Sequence, residues 1–424
     1  MRTVRWGFIA LAAVVLALGL GGAAYAFHSG GVAECTGCHS MHSPAAGGSF
    51  LLVASDQSST CLSCHEHAGD TGPSSYHVST AEADMPAGVP PKQRSPGGDF
   101  GWLKKSYTMT IRGATSTEEG SSHGHNIIAA DKGYVVDAVN ATAPGGTFPS
   151  TQLACNSCHD PHGKYRRLSD GTIAKTGAPI IASGSYATST TPGYAEPPAA
   201  GTALGVYRLL AGAGYTKGTA TFSGVPAAKV PSAYNRTEAA TQTRVAYGKA
   251  STGGHAAWGT WCATCHTNMH SGSGNVHPTD ENLGSTIASN YKTYVKSGDM
   301  SGDGINGFTS LVPFIEGTAD YAVLAGHAKN DDSVLTGPGG SDQVSCLSCH
   351  RAHASGWPHA LRWNVEGEFI VYNSLYPGTD STPTAPQFAR GRLAAETQAA
   401  YYDRPVTQFA SYQRLLCNKC HAND

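Results

Sequence analysis

Six times in this chain two cysteines stand three residues apart with a histidine directly after the second. The sets are Cys35, Cys38 and His39; Cys61, Cys64 and His65; Cys155, Cys158 and His159; Cys262, Cys265 and His266; Cys346, Cys349 and His350; and Cys417, Cys420 and His421. Two thiols one helical turn apart can each add to a vinyl group of one porphyrin, and an imidazole in the next position then lies under the iron as proximal ligand. The six copies consume all 12 cysteines. A zinc knuckle or a redox dithiol also uses Cys-x-x-Cys, but neither requires histidine at the following position every time. The pattern implies six covalently attached haem c groups, each with a histidine on its proximal face.

Of 19 histidines, 13 are not proximal: His28, His42, His67, His77, His123, His125, His162, His255, His270, His277, His327, His353 and His359. Six irons need at most six of them, and a repeat narrows the choice. His42, His162 and His353 each follow a proximal histidine by three residues, after the first, third and fifth motifs. Upstream of the same motifs stand His28, His125 and His327. The chain therefore divides into three two-haem units, near 27–110, 111–300 and 301–424, each offering two distal imidazoles.

A histidine three residues past the proximal one is too close in the chain to reach over its own porphyrin, so it must serve a neighbour. If His353 ligates the haem of His159, and His162 that of His39, each unit reaches back to the previous one. His42 then has no earlier unit to serve, and the haem of His350 has no later unit to complete it. A surplus donor at one end and a deficit at the other describe a head-to-tail interface, which makes a filament unless it closes into a ring. The other possibilities are that His42 ligates inside its own chain or packs without metal. The upstream histidines His28, His125 and His327 are assigned to the even haems, with His77 and His277 as competitors. His67 and His270 are expected to bond propionates, backbone or water, and His123, His255 and His359 to lie at the surface.

The elements that must position these ligands are short. Charged residues make up 14% of the chain and glycine 52 of 424 positions, and few stretches show helical or strand periodicity. The expected fold is that of a multihaem cytochrome c: mostly coil, with short helices carrying the attachment motifs and few strands, built as one domain over 27–424 around a chain of six haems. Without them the chain should be largely unfolded, because the cofactors supply the missing apolar bulk. Tyr107 to Arg112 reads as a short strand, and Asp84 to Asp99 and Ser183 to Val230 as coil. Lys164, Arg166, Arg167, Arg351, Arg414 and Lys419 are candidate propionate partners. The stretch from Asp299 to Gly304 begins like a calcium loop but has Ser310 where a bidentate glutamate belongs, so an ordinary turn is favoured.

Residues 1–26 read as a signal peptide: Arg2 and Arg5, an apolar run from Trp6 to about Leu20, and a small-residue end at Ala24-Tyr25-Ala26. A retained anchor is the alternative, and no later stretch is apolar enough to span a bilayer. Export suits covalent haem attachment. Losing Arg2 and Arg5 takes Lys plus Arg from 28 to 26 against 30 Asp plus Glu, and haem propionates add further negative charge. Nucleic acid is an unsuitable partner for such a protein.

An iron held by two histidines has no open position for a substrate, so the expected chemistry is outer-sphere electron transfer at low potential rather than catalysis. Met41 and Met269 stand too close to their own motifs to be distal ligands. No nucleophile elbow, phosphate loop or His-Glu-x-x-His occurs. A monomeric carrier, or a monomeric oxidoreductase with one open iron, is the alternative.

Several stretches, including Phe27-His28-Ser-Gly-Gly-Val-Ala-Glu-Cys35, His159-Asp-Pro-His-Gly-Lys-Tyr-Arg-Arg167, Glu316-Gly-Thr-Ala-Asp-Tyr321, Cys346-Leu-Ser-Cys-His-Arg-Ala-His-Ala-Ser-Gly356 and Leu416-Cys-Asn-Lys-Cys-His421, give a closer guide. With them the chain resembles the hexahaem outer-surface cytochromes of metal-reducing bacteria that polymerise into conductive filaments. The resemblance spans the mature chain, but is poor at Ser183 to Val230 and Asn275 to Phe308. It implies a continuous stack of bis-histidine haems, with His42 ligating the fifth haem of the adjacent subunit. It also implies an extracellular or outer-surface location, and electron delivery to iron oxides, electrodes or partner cells.

Overall fold

In a computed structural model of the chain, the residues described are 37–42, 44–45, 49–67, 77–161, 210–212, 215–231, 239, 241–250, 256–271, 276–382 and 386–422. His28, Cys35, His162, His255, Lys164, Arg166 and Arg167 lie outside them, as does most of 183–230.

The helices are short, and several carry the attachment motifs. Helix α1 (Gln57–His65) carries the second motif, and Asp56 caps it by accepting from the Ser59 amide at 2.7 Å. Helix α2 (Trp258–Ala263) opens the fourth, α6 (Cys346–Cys349) the fifth and α9 (Asn418–His421) the sixth, while the third begins as a 3₁₀ turn at Cys155–Ser157. Ser345 caps α6. The other helices are α3 (Thr267–Ser271), α4 (Gly284–Thr293), α5 (Tyr321–His327), α7 (Pro386–Ala389) and α8 (Ala394–Ala400). Among the described residues none is long and apolar enough to cross a membrane.

Strands are few and small. β1 (Tyr107–Ile111) pairs antiparallel with β2 (Ala114–Glu118), placing the expected strand in a hairpin with Tyr107 opposite Glu118. β3 (Thr216–Lys217) and β4 (Ala220–Thr221) form a minimal hairpin. β5 (Ala228–Lys229), β6 (Ala246–Gly248) and β7 (Ile315–Glu316) make a three-stranded sheet in which β6 and β7 run parallel. β8 (Phe369–Tyr372) pairs with β9 (Tyr412–Arg414).

With so little ladder, tertiary contacts do the organising. The largest apolar cluster joins Trp102 and Tyr107 from the first third of the chain to Trp357, Trp363 and Tyr401 from the last. Tyr376 and Tyr401 stack with ring centroids 5.7 Å apart. Guanidinium groups share this core: Arg351 lies 3.6 Å from the Tyr402 ring centroid, and Arg392 lies 4.1 Å from that of Tyr107 and 4.4 Å from that of Trp357.

His123 is buried and not at the surface. Its Nδ1 lies 2.9 Å from the Trp102 carbonyl oxygen and its Nε2 2.7 Å from Glu118 Oε1, so two acceptors replace the water it would otherwise bond. Glu118 also accepts from Arg392, 274 residues away. That long-range charge is what makes an internal histidine tolerable here, and no local pattern could announce it. His359 is exposed, as expected, and contributes its backbone to the site below.

Candidate haem-ligand site

One backbone bond recurs in the attachment motifs. The histidine amide donates to the first cysteine's carbonyl in His159 to Cys155 (3.0 Å), His266 to Cys262 (3.1 Å), His350 to Cys346 (2.9 Å) and His421 to Cys417 (3.1 Å). This single helical turn puts both thiols and the imidazole on one side of the chain. Burial keeps thiols protonated: Cys158 and Cys349 are each pushed up to about 12, and Cys265 and Cys420 to about 11.

The imidazoles are aimed by the other ring nitrogen. His39 Nδ1–H donates to the Phe50 carbonyl (2.8 Å), His266 to Pro144 (2.9 Å) and His350 to His359 (2.7 Å). Such a bond fixes the tautomer and leaves Nε2 as the lone-pair donor to a metal. His125 has the same arrangement, with Nδ1–H on the Ala352 carbonyl at 2.7 Å. Burial, reinforced by the nearby His266, lowers His125 to about 4 despite that bond, and burial lowers His350 too. Both rings are therefore neutral at pH 7, the form that binds metal.

Three proximal rings face another histidine across a gap. The centroids of His159 and His353 are 6.4 Å apart, those of His266 and His125 6.0 Å, and those of His421 and His277 6.2 Å. With metal–nitrogen bonds of about 2 Å, two imidazoles on opposite sides of one metal ion put their centroids roughly 6 Å apart. The donor set thus fits a bis-histidine iron at each pair. By contrast, His67 and His77 stack at 4.7 Å with an interplanar angle of 16°, too close for an ion between them. Among the described residues, no histidine ring faces His350 across such a gap. His42 sits on an exposed turn beside Met41, itself 79% exposed.

His327 is also held from the Nδ1 side, here by a carboxylate, which leaves Nε2 as its ligand nitrogen. Its Nδ1 is 2.5 Å from Glu316 Oε2, and Glu316 is in turn held by Arg244 at 3.0 Å, while the ring facing His421 is that of His277. The buried carboxylate and guanidinium come from β7 and a segment some 80 residues upstream of α5. His270 bonds Asp280 Oδ2 at 3.1 Å, the carboxylate that also caps α2 through the Gly259 and Thr260 amides.

The expected propionate partners also have occupations within the chain. Arg351 lies on Tyr402, and Arg414 is 3.4 Å from Glu368. Lys419 is buried, with Nζ donating to the carbonyls of Tyr291 (2.9 Å), Tyr294 (2.7 Å) and Gly307 (2.8 Å). Replacing Lys419 with methionine leaves three buried acceptors without their donor and is expected to cost about 1–3 kcal/mol. An earlier urea midpoint, with haem content unchanged, is the measurement. Asp299 and Asp303 accept from amides of their own turn, Ser301 and Ile305, as the turn reading expects.

The motifs also meet one another. The thiols of Cys61 and Cys155 are within hydrogen-bonding reach, as are those of Cys262 and Cys346, while Cys158 lies near Cys265 and Cys349 near Cys417 and Cys420. From the second motif to the sixth, each is beside the next. The sequence missed the carbonyls that aim the rings, since a main-chain oxygen has no residue signature.

A mostly irregular chain wound along a row of Cys-x-x-Cys-His turns with facing imidazoles defines a multihaem c-type cytochrome. The chain belongs to the family of C-type cytochrome OmcS from Geobacter sulfurreducens, with which it is 52% identical over 432 aligned positions covering 95% of both chains. Two solved structures from that organism share the fold. One is the cryo-EM structure of the OmcS nanowires, with a TM-score of 0.80 and 52% identity. The other, the Outer Membrane Cytochrome S filament, has a TM-score of 0.79 and 50% identity. Each covers 94% of this chain and all of its own. No protein-family model matches.

Proposed function

We propose that this protein carries electrons outside the cell through six bis-histidine haem c groups, and that its protomers join head to tail into a conducting filament. The observation that carries the proposal is the ring pairing: three proximal histidines have partners within the chain at the right separation, while His350 has none among the described residues and His42 is exposed. His42 of one protomer completes the haem of His350 in the next. His353 serves the haem of His159, His125 that of His266 and His277 that of His421. His28 and His162 retain the haems of His65 and His39.

A haem iron with two imidazoles exchanges single electrons without binding a substrate. The protein's part is to fix tautomers through the carbonyls of Phe50, Pro144, His359 and Ala352, and to keep successive attachment sites adjacent. The likeness to nanowire and filament structures at about half identity supports polymerisation. Residues 27–424 form one domain in this reading, because the largest core joins its first and last thirds. Residues 1–26 are removed on export, and the acceptors are extracellular: iron oxides, electrodes or partner cells.

Native protein is expected to show only low-spin haem, to bind no carbon monoxide when reduced, and to image as regular filaments. A high-spin component in undamaged material would favour the oxidoreductase with one open iron. Discrete particles with six low-spin haems would leave a monomeric carrier.

A further inference from the structure

We propose that Gly98 and Gly124 are positioning residues that set two distal histidines, His353 and His125, at once. The inference rests on the assignment of those histidines to the haems of His159 and His266.

Ala354 is fully buried and forms the middle of a three-segment ladder. On one side it pairs in parallel with Gly98: the His353 amide donates to the Gly97 carbonyl at 2.7 Å and the Asp99 amide to the Ala354 carbonyl at 3.2 Å. On the other side it pairs antiparallel with Gly124: the His125 amide donates to the His353 carbonyl at 2.9 Å and the Ser355 amide to the His123 carbonyl at 3.0 Å. One distal histidine is thus hydrogen-bonded directly to the backbone of the other. The bond from His125 Nδ1–H to the Ala352 carbonyl adds a further tie between the same two segments.

Only hydrogen fits opposite Ala354 on either side. A Cβ on Gly98 would overlap the Ala354 carbonyl oxygen, and its φ of +96° is a conformation that side chains disfavour. A Cβ on Gly124 would overlap the His353 carbonyl oxygen. These are main-chain atoms, so relief requires the segments to part, and both imidazoles move together. Gly97 differs, because its Cβ would meet the His353 ring itself, 2.9 Å from Nδ1, and leave the ladder alone.

The test uses the full-length, haem-loaded protein, with spin state read by electron paramagnetic resonance and haem number by intact mass. His353→Ala and His125→Ala should each convert one of the six haems to high spin. Gly124→Ala and Gly98→Ala should each convert two, and Gly97→Ala one, with all six haems still attached. Six low-spin haems, or one open haem, in Gly124→Ala overturns the proposal. If the two histidine variants stay wholly low-spin, the ligand assignment is wrong and the positioning role falls with it. If the ladder variants yield no protein, amide exchange in the unmodified protein decides. The His353, His125, Asp99 and Ser355 amides should exchange as one unit, and rates scattered over more than tenfold would count against a shared ladder.

Discussion

Replacing His42 with alanine is expected to abolish filaments while leaving a folded protomer with six attached haems, one of them high-spin. The histidine lies three residues after His39, too near to reach the far side of its own porphyrin, and its turn is exposed. At the other end, His350 is oriented by the His359 carbonyl with its ring neutral, ready to bind on one side of an iron. Because every junction in a head-to-tail polymer is identical, removal of one donor removes the same coordinate bond at each. Electron micrographs and a spin count on the same sample make the measurement. Added imidazole should restore low spin at the opened iron without restoring filaments, since it fills the coordination site but cannot link two chains. Regular filaments from the variant would show that His42 is not the connection.

A comparably large effect, on stability instead of assembly, is expected at Glu118. Its side chain is buried where it meets His123 at 2.7 Å, Arg392, and Arg390 at 3.6 Å. Breaking a buried ionic group by removing one member leaves uncompensated charge and costs about 3–5 kcal/mol, so Glu118→Ala should show a much earlier urea midpoint by circular dichroism. Acid tests the same group in the native chain. Burial alone would raise this carboxyl, but the His123 hydrogen bond and the Arg392 charge outweigh it and hold it at about 2, against an ordinary value of 4.5. A carboxyl with a depressed folded value contributes stability above the ordinary value and loses it as pH falls toward the folded one. Stability should therefore drop between about pH 4.5 and pH 2, and Glu118→Ala should show a weaker drop across that interval.

The attachment sites could be read from spacing because their geometry is local: two thiols and an imidazole fit one helical turn whatever surrounds them. The strand at Tyr107 was legible for the same reason, since alternation along five residues is a local pattern, while its partner strand was not. The identity of distal ligands was legible only in part. The ring of His353 stands opposite that of His159, the pairing that counting suggested, whereas counting left open which even-motif histidine His125 and His277 would face, and their rings stand beside those of His266 and His421. His123 reads as a surface residue because the groups that bury it, the Trp102 carbonyl and the Arg392 guanidinium that holds its partner Glu118, approach from other segments.

By itself the sequence determined that this is a c-type cytochrome, through six Cys-x-x-Cys-His sets, and gave the expectation that any distal imidazoles come from elsewhere in the chain. Those are consequences of bonds spanning five residues. Only the tertiary structure decided which remote rings come to stand about 6 Å from those of His159, His266 and His421, which carbonyls turn the rings of His39, His266 and His350, and which charges are buried. Distal ligation and ion pairing act across contacts between segments up to hundreds of residues apart, and where such segments meet depends on how the whole chain packs.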